Sequence, residues 1–138
     1  MAGVRPNHSF RHRGQPNFRL GFPLFRFPDA CLIDGYRRLE DVVRQRTGLQ
    51  EHGAKLFSET FLGDAPRLSW SGLSAAEQSG RGALFTSAYR AYRNPRAHRE
   101  LRSDSIDQTR EFLLLNHLFS LERSAVEASQ LGTTESAA

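Results

Sequence analysis

Apolar residues recur at intervals of three and four in four separate stretches of this chain, the spacing that gives an α-helix one buried face. The first stretch opens at Pro28-Asp29, where Asp29 can cap free backbone N–H groups, and its stripe is Leu32, Ile33, Tyr36, Leu39 and Val43. Gly48 followed by Leu49 is a stop signal, glycine taking the left-handed position and leucine folding back. A short second helix fits Gly53 to Phe61, with Leu56, Phe57 and Phe61 inward. Residues 63–72 read as a loop around Pro66 whose Leu68 and Trp70 tuck against the core. Ser74-Ala75-Ala76-Glu77 is a capping box that starts a third helix, continued by Leu84, Phe85, Ala88, Tyr89 and Tyr92. Gly80 and Gly82 weaken that helix unless they allow a close approach of another one. Pro95 is expected to push Asn94 away from helical angles and end or kink the helix there. The fourth helix is expected from Ser103 or Asp104 to about Ala128, with Ile106, Leu113, Leu114, Leu118 and Leu121 as its stripe. No strand pair stands out. The pattern therefore predicts an all-α fold, an antiparallel four-helix bundle over residues 25–128. A basic arm (1–24) and a polar tail (129–138), both expected to be disordered, flank it.

With 138 residues, 38% of them hydrophobic and 25% charged, the chain suits one soluble domain with a single modest core. No apolar run could span a bilayer, and residues near the N-terminus lack the unbroken core of a secretory signal, so a cytoplasmic location is expected. The lone cysteine, Cys31, excludes an internal disulfide and is expected to be a buried thiol.

The formal charge of +4 points to an anionic partner, but its distribution weakens the argument. Arg5, Arg11, Arg13, Arg19 and Arg26 all precede the first acid, Asp29, so the rest of the chain is close to neutral. Phenylalanines 10, 18, 22, 25 and 27 interleave with those arginines. They allow either stacking on single-stranded nucleic acid or a plain extension, since nothing sets them on one face. No histidine pair has HExxH-type spacing and the carboxylates do not cluster, so no metal and no cofactor are expected.

Candidate chemistry concentrates at Arg93-Asn94-Pro95-Arg96-Ala97-His98. An arginine and a histidine separated by four to six residues is by itself a weak signal. The chain holds three more such pairs, Arg5/His12, Arg46/His52 and Arg110/His117. Only the 93/98 pair straddles a proline-forced break at the end of an amphipathic helix, where side chains and free backbone groups become available. Without further context, Arg93 would cap the helix C-terminus and His98 would fill a structural role.

The order of segments supplies that context. Leu39-Glu40-Asp41-Val42-Val43-Arg44, Thr47-Gly48-Leu49, Gly53-Ala54-Lys55-Leu56-Phe57, Gly82-Ala83-Leu84-Phe85 and the Arg93–His98 block precede a leucine-rich last helix. In this order they resemble the bacterial Abi-like, Ymh-type branch of the HEPN superfamily. The resemblance covers about Phe25 to Glu127. It implies a helical bundle that dimerises so that two arginine–histidine motifs share a cleft. It further implies a ribonuclease in toxin, abortive-infection or phage-defence systems, with RNA as substrate and an antitoxin or sensor protein as a partner.

In that setting His98 moves a proton near neutral pH, Arg93 holds the phosphate as charge builds, and Asn94 orients the histidine or the scissile group. Arg96 is a substrate-phosphate contact or a surface arginine. Glu40 and Arg44, one turn apart, form either an ordinary ion pair or a brace for the site from the first helix. The same fold also hosts non-enzymatic members, which leaves a silent module binding RNA, nucleotide or protein as the alternative.

Overall fold

The computed structural model describes residues 29–95 and 104–131 and is mostly helical. Helix α1 (Asp29–Thr47) buries Leu32, Tyr36, Leu39 and Val43, with Glu40 beside them. It stops where expected: Gly48 has φ 71° and its N–H donates to the Arg44 carbonyl at 2.8 Å. Helix α2 (Gly53–Phe61) buries Leu56, Phe57, Thr60 and Phe61. Helix α3 (Ala75–Ala88) starts at the expected capping box, Ser74 and Glu77 each satisfying the other's backbone N–H. A wider π-helical turn (Tyr89–Arg93) extends it. Helix α4 (Ser105–Ser124) is capped by Asp104, which accepts the Asp107 N–H at 2.8 Å. A single helical turn, α5 (Ala128–Leu131), includes the first residues of the expected tail.

Aromatic rings fill the centre. Trp70, Phe61 and Phe85 stack at centroid distances of 5.0 and 4.4 Å, and Phe57 continues the series to Tyr89 at 4.4 Å. Tyr36 meets Tyr89 edge-on at 5.1 Å, and the Tyr89 hydroxyl donates to the Tyr36 carbonyl. Trp70 Nε1–H donates to the Leu121 carbonyl at 2.8 Å, which joins the loop to α4. Helices α2 and α3 approach closely at Gly82. A Cβ there would lie 2.6 Å from Leu62 Cδ2 and 3.0 Å from Phe61 Cβ, so glycine is a packing requirement.

Several expectations are corrected. Leu68–Ser69 (β1) pairs antiparallel with Val126–Glu127 (β2), and α4 ends at Ser124 rather than near Ala128. The cause is long-range: the Arg46 guanidinium of α1 donates to the Glu122 and Ala125 carbonyls and to Glu122 Oε1, each at 2.6 Å. Those bonds satisfy the helix end and leave Ala125 extended, aimed at β1. The α4 stripe is also rotated from expectation. Gln108, Glu111, Leu115, Leu118, Leu121 and Glu122 are buried, whereas Ile106 and Leu113 are 48% and 55% exposed. Three consecutive leucines, 113 to 115, fit two helical phases; the folded phase buries Leu115 and lets Gln108 Nε2 reach Asp29 Oδ1 at 3.3 Å. Leu84 and Tyr92 face outward, and Cys31 is exposed, one position off the Leu32–Tyr36–Leu39 stripe. Residues 1–28, which include the basic arm, lie outside the described residues, as do 96–103 and 132–138.

Candidate functional site

A buried carboxylate organises the end of the fold where α3 widens. Glu40 follows Leu39 on the inner side of α1 and is only 4% exposed, so its charge needs partners. Arginines from two elements supply the charge: Arg44 Nη1 of α1 lies 3.7 Å from Glu40 Oε2, and Arg93 Nε lies 3.7 Å from Oε1. His52 Nδ1, from the α1–α2 connection, also lies 3.7 Å from Oε2. The Gly53 N–H, first of α2, donates to Oε2 at 3.3 Å. Glu40 Oε1 and Arg93 Nε are buried and hydrogen-bonded to nothing among the described residues, and 3.7 Å is too long for a hydrogen bond between them. Their contact is therefore electrostatic, and Glu40 faces the guanidinium without locking it in a bidentate fork.

Arg93 reaches Glu40 because of the wide turn. The Asn94 N–H donates to the Tyr89 carbonyl, five residues back, in place of the usual four. Asn94 has φ −63° and ψ −47°, and Asn94-Pro95 remain helical. The expectation that Pro95 drives Asn94 out of helical angles is thus wrong. Proline lacks an N–H and its ring crowds the carbonyl four residues back; a widened turn gives that ring room while Asn94 and Pro95 keep helical backbone. The same widening leaves Tyr92 41% exposed and brings Arg93 over Glu40.

Tyr89 forms the floor. Burial, reinforced by the Glu40 charge and partly opposed by Arg93 and Arg44, pushes its phenol far above the usual range. It stays neutral and serves as a donor to α1. Arg44 is held by two further contacts, donating to Asp41 Oδ1 and to His52 Nδ1. Two guanidiniums, one imidazole and two carboxylates therefore meet at one edge of the molecule, with one carboxylate fully sunk beneath the others.

Of the site residues read from the sequence, Glu40, Arg44 and Arg93 come together, and Asn94 follows directly. Arg96 and His98 lie outside the described residues. Glu40 and Arg44 form an ion pair at 3.7 Å, and Glu40 also lies 3.7 Å from Arg93. His52 is the residue that sequence reasoning missed at this place. The signal available was the tight stop at Gly48, which returns residues 49–52 along the last turns of α1. The competing arginine–histidine pairs separate: Arg46 is committed to Glu122 and Ala125, and Arg110 lies against Asp107 at 3.2 Å with His117 exposed. Arg5/His12 falls outside the described residues. Among the described residues, no three His, Cys, Asp or Glu side chains form a group able to hold a metal ion, and no helix is long and apolar enough to cross a membrane.

A mostly helical fold with this charged edge defines a class only coarsely, and the family match sharpens it. The chain belongs to the family described as a protein of unknown function (Hypoth_ymh), whose model matches residues 29–121, from the first turn of α1 to the last turn of α4. No curated protein and no solved structure matches the chain.

Proposed function

We propose that this protein is a metal-independent endoribonuclease of HEPN type, acting as a toxin or abortive-infection effector in the cytoplasm. The observation that carries the reading is the seating of Arg93, first residue of the RNPRAH block, against buried Glu40 beside Arg44. An arginine drawn to this edge by a buried carboxylate brings a positive charge that can stabilise a developing phosphorane.

In the reaction, the ribose 2′-oxygen loses its proton and attacks the adjacent phosphorus. The P–O5′ bond breaks, the 5′-oxygen takes a proton, and a 2′,3′-cyclic phosphate remains. His98 is the proton-transfer residue, Asn94 its orienting neighbour and Arg96 a phosphate contact. Each chain contributes one His98, so a twofold dimer would supply both acid and base. DNA, lacking the 2′-hydroxyl, resists this route. Control of such an activity would fall to an antitoxin or sensor protein.

The test is incubation of the full chain with end-labelled tRNA and mRNA in EDTA, beside His98→Ala and Arg93→Ala. Cyclic-phosphate ends made by the native protein and absent with both variants support the proposal. RNA bound but never cut supports a silent binding module instead.

A further inference from the structure

His52 lies outside the RNPRAH block, and its surroundings define its hydrogen bonding. It is the N-cap residue of α2, with extended backbone at φ −130° and ψ 157°, yet its side chain makes no capping hydrogen bond. Glu40 Oε2 takes over that duty by accepting the Gly53 N–H at 3.3 Å. The ring turns back to α1, where Nδ1 meets the Arg44 guanidinium. Arginine offers only donors, so Nδ1 accepts and the ring proton sits on Nε2. The His52 side chain is 76% exposed, which leaves the Nε2–H edge open to solvent. Arg44, which holds this ring, lies 3.7 Å from one Glu40 carboxylate oxygen, and the other oxygen faces Arg93 at the same distance.

Two arginines and one oriented N–H thus share a single buried anchor. The two carboxylates of the cluster, Glu40 and Asp41, face these arginines, which leaves guanidinium N–H groups and the His52 Nε2–H as donors for a ligand with several anionic acceptor oxygens. We infer that His52 is a substrate-binding residue of this site, its Nε2–H donating to a non-bridging oxygen of an RNA phosphodiester; the inference rests on the ribonuclease reading for its choice of ligand. His52 then acts as a fixed donor and takes no part in proton transfer, and the arginine–imidazole contact is what fixes it.

The experiment separates binding from cutting by using a fluorescent 2′-fluoro RNA oligonucleotide, which lacks the attacking hydroxyl. Anisotropy titrations compare the native chain with His52→Ala, His52→Asn and His52→Gln. Glutamine places its amide nitrogen near the Nε2 position, whereas asparagine places it near Nδ1. Loss of one hydrogen bond to a charged group should weaken binding about tenfold in the alanine and asparagine variants, with glutamine within about twofold of native. The ring is exposed, so melting temperatures should stay together. Alanine binding as tightly as native, glutamine as weak as alanine, or no native binding overturns the inference. Native cleavage alongside unchanged alanine binding leaves the ribonuclease reading standing without His52. The expected binding pattern without any cleavage does the reverse.

Discussion

Glu40→Gln tests whether one buried charge organises the candidate site. Glutamine keeps the shape and can still accept the Gly53 N–H, so the change removes the charge that faces Arg44, His52 and Arg93. Breaking a fully buried ion pair costs about 3–5 kcal/mol. Here Glu40 is buried, but the Arg44 and Arg93 side chains are 24% and 27% exposed and all the ionic contacts stand at 3.7 Å. Water can compensate the orphaned guanidiniums in part, which reduces the expected loss to about 2 kcal/mol. For a domain of this size that corresponds to a fall in Tm of about 10 °C. Thermal and urea melts followed by circular dichroism measure it. A double variant with Arg93→Met should fall short of the additive sum by at least about 0.5 kcal/mol, because the two groups share one contact. A Tm within about 2 °C of native, or strict additivity, would refute the idea that Glu40 holds Arg93 in place.

Three further outcomes test the fold that presents the site. Gly82→Ala should destabilise by about 1–3 kcal/mol despite alanine's better helix propensity, because its Cβ meets Leu62 and the Phe61 carbonyl. Gly80→Ala, with nothing within 4 Å of its Cβ, should stabilise by about 0.5–1 kcal/mol, and paired urea melts read both. Arg46→Met should cost about 3 kcal/mol, since Glu122 is left buried and the last carbonyls of α4 lose their donor. Hydrogen exchange should then rise at the end of α4 and in the β1–β2 pair before elsewhere. The Ser74 backbone N–H and hydroxyl hold the Glu77 carboxyl below its usual 4.5. Its folded value is depressed, so its stabilisation is present above 4.5 and lost as pH falls through that lower value. Native and Glu77→Gln proteins should therefore differ in Tm above 4.5 and converge in acid.

Local chemistry determined what the sequence alone could reveal. Caps and stops act within one turn, so the Ser74–Glu77 box, Asp104 at the head of α4 and the Gly48 stop were legible. The stripe of α1 was legible because Leu32, Tyr36, Leu39 and Val43 fit only one helical phase. The RNPRAH block stood out through its proline and its place in an ordered series of segments. Tertiary structure decided the rest. It chose the phase of α4 among three leucines, ended that helix early through an arginine of α1, and turned Cys31 outward. It also kept Asn94 helical by widening one turn, a solution that backbone rules for a residue before proline do not anticipate. Above all it brought Arg93 across the fold to Glu40, beside which the Gly48 stop had already returned His52. Spacing along the chain carries no record of that meeting, because a buried charge selects its partners by distance in space and not by position in sequence.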